Sequence, residues 1–215
     1  MNNTLMLDCS AGMNIVLMTD NKIYKKIDNN QKRHSDELLL SVDNLLSEAK
    51  ILIKDVKNIC ICIGPGSFTG IRVAASICKG LSIGINANAF TATNFDIFSY
   101  GDTNNSIYIL DGFSTFVYVR VIENGKVVDS CEQFSDVVKL LNDKNNYNVF
   151  VQSENLNNKL KENNIESNFV ENKMIEYFVQ KIKNNEKIDL NKIEPIYLRA
   201  SQAEIERNQK LKEQK

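Results

Sequence analysis

The run Ile59-Cys60-Ile61-Cys62-Ile63 contains no polar side chain, and Gly64-Pro65-Gly66-Ser67-Phe68-Thr69-Gly70 follows it at once. A short β-branched run of this kind reads as a strand buried on both faces. Residues 71–85 then have the length and spacing of a helix. The chain must therefore pass from the tip of a buried strand, through a glycine-rich turn, into a helix start. At such a junction free backbone N–H groups and the positive end of the helix dipole hold anions or partner groups.

The turn itself admits two readings. Gly64, Gly66 and Gly70 permit unusual backbone angles or close approach, Pro65 stiffens the turn, and Ser67 or Thr69 can cap the helix. Ile71-Arg72 follows the last glycine where a Walker A loop needs Lys-Ser/Thr, and the spacing is not G-x-G-x-x-G. A phosphate cradle and a purely structural turn both remain open.

At 215 residues the chain can bury one sizeable core or two small lobes. Its 43% apolar and 25% charged content is that of an ordinary globular protein. No run approaches the roughly 18 apolar residues of a membrane span, and the first residues lack a signal-peptide layout, so no membrane and a cytoplasmic setting are expected. Cys60 and Cys62 alternate with isoleucine, Cys78 sits in a core-like helix, and no second pair stands at metal-ligand spacing. The cysteines read as small buried hydrophobes. A net charge of −1 with dispersed basic residues argues against autonomous RNA binding.

Three short strands are expected over 4–8, 13–19 and 22–27, then a helix over 34–50. In that helix Leu38, Val42, Leu45 and Ala49 form one stripe with Leu39 and Leu46 beside it, while Leu40 falls outside the arc. The next helix is less usual. Ile71, Ala74, Ala75, Cys78, Leu81 and Ile85 form its apolar stripe, while Ser76, Gly80 and Gly84 line up four apart on the other side. Two interior glycines cost about 1 kcal/mol each against alanine, so close approach of another helix is expected, within the chain or from a second molecule. A short strand near 89–91 and a helix near 93–100 close the first half. Beyond a weak boundary at 101–106 the chain alternates strands (107–111, 115–122, 127–131, 147–152) with helices (134–142, 154–163, 172–184). The polar tail 201–215 has helical propensity.

Gly64-Pro-Gly-Ser-Phe-Thr-Gly-Ile-Arg72 with Lys79-Gly80-Leu81 resembles the signature of the bacterial TsaB (YeaZ-type) family. Leu5-Met-Leu-Asp8-Cys-Ser10, His34-Ser-Asp-Glu-Leu-Leu39, Val117-Tyr118 and Pro195-Ile-Tyr-Leu-Arg199 match it too, strongly over 1–100 and thinly over 101–190. The resemblance implies an α/β fold with the duplicated lobes of the actin/Hsp70/sugar-kinase (ASKHA) superfamily. Residues 1–101 would be the first lobe, 102–200 a reduced second lobe and 201–215 a tail. It implies a non-catalytic subunit supporting threonylcarbamoyl transfer to N6 of adenosine 37 in tRNA. The implied partners are a TsaD-like catalytic subunit and a TsaE-like ATPase subunit, with a homodimer left open and tRNA met only through the complex. Leu38, Leu39, Val42, Leu46, Arg72, Ser76, Gly80 and Gly84 are then candidate partner-interface residues.

The same resemblance argues against catalysis here. Asp8 and Asp111 stand where superfamily members that bind ATP carry their phosphate-loop aspartates, yet Asp111-Gly-Phe departs from the family's Asp-Ala-Arg. The last glycine is Gly125, so the adenosine-contacting glycine pair has no counterpart. The bland reading of both aspartates is a turn cap at a strand end. His34 is the only histidine, with Leu38 four residues on, so the two-histidine metal site of the catalytic relative cannot form. No cofactor is expected on this chain alone, with a nucleotide at a subunit interface left open. The rival functions are an autonomous ATP-binding phosphotransferase and a metallopeptidase-like hydrolase.

Overall fold

The protein is described here by a computed structural model covering residues 2–20, 22–28, 34–144 and 146–198, with side chains of the first helix described from Glu37 onward. Arg199, the tail 201–215 and the side chain of His34 lie outside the described residues. The chain divides into two compact units. The first joins Met1–Thr103 to Phe169–Ile196, and the second is built on Asn104–Asn168.

The first unit opens with β1 (Thr4–Asp8), β2 (Met13–Met18) and β3 (Ile23–Asp28), which form an antiparallel meander. Helix α1 (His34–Ala49) leads to β4 (Asn58–Cys62), and α2 (Phe68–Ile85) leads to β5 (Asn88–Ala92) and the short α3 (Asn94–Phe98). The sheet order is β3-β2-β1-β4-β5, with β4 parallel to both β1 and β5. Parallel pairing needs a crossover, and α2 supplies it between β4 and β5. Because β1 and β4 are central they are buried throughout, which is why Leu5-Met6-Leu7 and Ile59-Cys60-Ile61 show no polar alternation. One face of the sheet packs against α1 and α2, where Leu5, Leu7, Ile59 and Ile61 meet Leu38, Val42, Leu45, Ala74 and Cys78.

The second unit holds β6 (Ser106–Asp111), β7 (Phe116–Glu123), β8 (Lys126–Gln133), α4 (Phe134–Asp143), β9 (Asn148–Val151), α5 (Glu154–Glu162) and the first residue of the two-residue β10 (Asn168–Phe169). Its sheet order is β10-β9-β6-β7-β8. Ile107, Ile109, Val117 and Val119 pack under Val137, Leu141, Leu156 and Leu160 of the two helices. Arg120 and Asp129 are cross-strand partners joined by two parallel hydrogen bonds of 2.7 and 2.8 Å.

The second lobe expected over 102–200 is shorter than that. Helix α6 (Met174–Lys183) belongs to the first unit, where Met174 and Phe178 are fully buried and the helix packs on β5 and α3. Lys181 Nζ donates to Thr91 O at 3.0 Å and Lys173 Nζ to Tyr100 O at 2.9 Å, while the Tyr177 ring meets Tyr100 edge-on. The segment beyond pairs with β5 through one antiparallel bridge, in which Ile188 N–H donates to Ala89 O. An apolar stripe that finds this much surface on the first unit has no reason to stay with the second.

By length and composition alone α2 is apolar enough to cross a membrane, a test that core helices of globular proteins also meet. Its apolarity is used otherwise: Ile71, Ala74, Ala75 and Cys78 are buried against the sheet. Cys9, Cys60, Cys62 and Cys78 are buried free thiols, and Cys131 is half-buried.

Phe178→Ala should cost about 3–5 kcal/mol, as for other fully buried phenylalanines. Urea unfolding followed by circular dichroism measures it. A midpoint unchanged from wild type would show that α6 is not integral to the first unit.

Candidate functional site

The glycine-rich loop is held from three sides. Ile63 N–H extends the β4–β5 ladder to Ala92 O at 2.8 Å, and Ile63 O accepts from Ile196 N–H at 2.8 Å. The loop carbonyls are gathered by Asn94, which is almost wholly buried at the start of α3. Its backbone N–H donates to Gly64 O at 2.8 Å and its Nδ2 to Pro65 O at 2.6 Å. Its Oδ1 accepts from the Cys62 thiol at 3.0 Å. Sequence reasoning missed Asn94. The available signal was Thr93 with Asp96 three residues on, the capping box that opens α3 and fixes Asn94 in its first turn.

From the third side the loop lies on the Cys9–Ser10 backbone. Ser67 N–H donates to Ser10 O at 2.7 Å. A Cβ on Gly66 would sit 2.4 Å from Ser10 O, and one on Gly70 would sit 2.0 Å from Cys9 O. No side chain fits either position, so both glycines are required by close approach. Ser67 caps α2 by accepting the Gly70 N–H at 3.2 Å. These bonds engage two of the loop's donors, Ser67 N–H and Gly70 N–H, with its own chain, as a structural stitch between β1, β4 and α2 does.

Asp8 lies beneath that stitch. Ser10 donates to Asp8 Oδ1 twice, from its backbone N–H at 2.9 Å and from its hydroxyl at 2.6 Å. Burial pushes the Asp8 carboxyl up, with Ser10 pulling it partly back. Burial, and then the neighbouring Asp8, push the Cys9 thiol up to about 12. Burial likewise raises Cys60 and Cys62, and takes Cys78 to about 11. Thiols this far from ionising are neither nucleophiles nor ready metal ligands at neutral pH. In the second unit Asp111 donates its N–H to Gln152 Oε1 at 3.0 Å and accepts from Ser153 Oγ at 2.9 Å, Ser153 being the cap of α5. Both aspartates thus serve turn and cap geometry within their own unit. Among the described residues no group of three His, Cys, Asp or Glu side chains is placed to hold a metal ion.

The candidate interface residues separate into two groups. Leu38, Val42 and Leu46 are core: the α1 stripe that contains them is covered by the chain's own sheet and by α2, so they are unavailable to a partner. Leu39, Arg72, Ser76, Gly80 and Gly84 are exposed. The last four stand four apart along α2, and the Arg72 guanidinium lies over the Phe68 ring at 3.6 Å. A Cβ built on Gly80 or Gly84 meets no described atom within 4 Å. Leu40 at 59% and Ile83 at 71% exposure were not among the candidates, yet they join Leu39 at 51% and Phe68 at 43% as exposed apolar groups on α1 and α2. The two helices pack against each other.

Residues 22–173 match the family model described as TsaD, tRNA N6-adenosine threonylcarbamoyltransferase. Among curated proteins, 75 residues are 33% identical to the tRNA threonylcarbamoyladenosine biosynthesis protein TsaB of Buchnera aphidicola subsp. Schizaphis graminum (strain Sg), covering 35% of this chain and 36% of that relative. The chain spans a third to a half of the length of the curated relatives it matches. Among solved structures, one described as an uncharacterized protein with similarity to peptidase YEAZ from Pseudomonas aeruginosa aligns with a TM-score of 0.73 at 18% identity. It covers 93% of this chain and all of that one. YeaZ from Pseudomonas aeruginosa aligns with a TM-score of 0.69 at 17% identity, over 92% and 100%. At these identities the structural likeness is one of fold.

Gly70→Ala forces a methyl group into the Cys9 carbonyl and should cost about 3 kcal/mol, the upper end for overpacking. Thermal melting checks this, and a melting temperature equal to wild type would contradict the close approach.

Proposed function

The chain belongs to the tRNA N6-adenosine threonylcarbamoyltransferase (TsaD) family and is of the TsaB/YeaZ type, and from that premise we propose that it serves threonylcarbamoyl transfer to adenosine 37 as an accessory subunit. Its fold is the ASKHA-like one of two α/β lobes. In this reading the catalytic, TsaD-like subunit docks on the exposed side of α1 and α2, and attack of the adenine amine on the activated threonylcarbamoyl group takes place on that subunit. A TsaE-like ATPase subunit completes the assembly. With a net charge of −1, this chain meets tRNA through its partners. Free thiols throughout suit a reducing compartment, and we place the assembly in the cytoplasm.

One observation carries the reading: the surface at Gly80 and Gly84 is open in the chain's own fold. Two glycines inside a helix cost about 2 kcal/mol against alanine, and here no packing within the described residues offsets that. A partner helix seated on that surface would offset it and would cover Ile83 on the same helix. Arg72, preset on the Phe68 ring, stands at the end of the same stripe.

The rival reading is an autonomous phosphotransferase using Asp8, Asp111 and the loop. It requires free donors in the loop and aspartates turned toward a ligand. The engagement of Ser67, Gly70 and both aspartates within the chain disfavours it. Titration calorimetry with Mg-ATP should give no binding heat, and tight binding by the isolated chain would revive the rival.

The docking role is tested with Gly80→Leu and Gly84→Leu. Each added side chain enters open space, so the isolated variants should keep their circular dichroism and melt no lower than wild type. Gly80→Ala should gain up to about 1 kcal/mol. Size-exclusion chromatography with the catalytic subunit of the same source should show co-elution with wild type and its loss with either leucine variant. Undiminished co-elution of both would remove α2 from the interface.

A further inference from the structure

Beneath the glycine-rich loop lies a buried polar cluster that a docking role does not use. Asp8 ends β1 directly across the antiparallel ladder from Asn14 on β2. Residues so opposed hold their Cβ atoms roughly 5 Å apart, which puts a carboxyl and an amide within reach of each other. On the other side stands Cys62, one step beyond the Leu7–Ile61 pair.

The hydrogen bonds in this cluster are unevenly distributed. Both Ser10 donors converge on the same carboxyl oxygen, Oδ1. The Cys62 thiol also borders the carboxyl, but its single proton points to Asn94 Oδ1. Across the ladder, Asn14 Oδ1 is buried with no hydrogen-bond partner among the described residues. An ionised carboxylate can only accept, and an amide oxygen can only accept. Set opposite each other out of water, they would leave two lone-pair surfaces facing with no proton between them, an arrangement that buried polar groups avoid.

The geometry points to a carboxylic acid at this position: Asp8 keeps its proton at neutral pH and donates it from Oδ2 to Asn14 Oδ1. The assignment satisfies every group at once. Oδ1 is left as a carbonyl-type oxygen accepting both Ser10 donors, and the orphaned amide oxygen gains its donor. A hard metal ion is a poor substitute, since two oxygens fall well short of the six or more such ions take.

The charged and titratable neighbours agree. The Cys9 thiol just past the end of β1 and the Cys62 thiol on β4 are both neutral, pushed up by burial and by Asp8 itself. Ser67 and its loop neighbours carry no charge. On β3 the side pairing with Asn14 offers Ile27 and, two residues back, Lys25, which is exposed to solvent. Among the described residues of these elements no buried cation is present to hold a carboxylate. A neutral Asp8 presents a donor where a phosphate-loop aspartate would present negative charge, so the position has exchanged ligand electrostatics for an internal clasp between β1 and β2.

The direction with pH follows. A carboxyl raised above its ordinary 3.8 in the folded state binds its proton more tightly there than in the unfolded chain. Its contribution to stability is complete below 3.8 and is lost as pH rises through the raised value.

Carbon-13 NMR of the full chain labelled at aspartate side-chain carboxyls reads the state directly. The Asp8 resonance, assigned by its loss in Asp8→Asn, should hold the position of a protonated acid at pH 7. A carboxylate position at pH 7 overturns the proposal and turns the Asn14 amide round, so that Nδ2 donates instead. A second measurement uses Asp8→Asn, whose amide reproduces the acid's pattern of one acceptor and one donor. It should melt with wild type at acid pH and lose the decline that wild type shows as pH rises from 3.8 through the raised value. A variant that is markedly less stable at neutral pH, or that keeps the same decline, counts against a protonated Asp8.

Discussion

The contact on which the rest depends is that of two glycines with two carbonyls. Gly66 and Gly70 lie against Ser10 O and Cys9 O so closely that even a methyl group is excluded. Through this contact the end of β1, the end of β4 and the first turn of α2 become one rigid knot. A helix is stiff, so fixing its first turn fixes the direction of every later side chain. Ala74 and Cys78 then reach the core, and Arg72, Ser76, Gly80 and Gly84 are left facing outward. Buried bonds of Asn94 and Ser10 support the knot, and none of them reaches beyond the first unit.

The same residue type is used in opposite ways along one helix. At Gly70 the missing side chain is filled by protein, which offsets the conformational cost of glycine by packing. At Gly80 and Gly84 it is filled by nothing within the described chain, and the cost stands. Alanine would be the better residue there for the isolated fold. Glycine at these positions, with Ile83 exposed on the same helix, suits the docking role proposed above, in which another backbone approaches at short range.

Local signals made much of this legible in the sequence. The apolar run 59–63, the glycines and proline after it, and the spacing of 71–85 each depend only on near neighbours, and the βα step they describe is present as β4, loop and α2. What depends on distant packing was not legible. The stripe Leu38, Val42 and Leu46 says that one face of α1 is covered; it does not say by what, and the cover is the chain's own sheet. Leu40 and Ile83 lie outside any buried arc, so periodicity carried no reason to single them out. Residues 172–184 read plainly as an amphipathic helix, yet no local feature tells which unit receives Met174 and Phe178. Asn94 could be placed in a helix start, but its reach to Pro65 O requires the folded loop.

The two unusual features of the first unit are connected through that loop. A loop that bound phosphate through its N–H groups would need them free, and the first turn of α2 would have to yield to the ligand. Here Ser67 N–H and Gly70 N–H are closed on the chain itself, and the aspartate beneath is turned to Ser10. Closing these two donors fixes the first turn of α2 without any ligand, so in the docking role proposed above the face it presents would be formed before a partner arrives. Affinity is raised when the bound geometry costs no ordering.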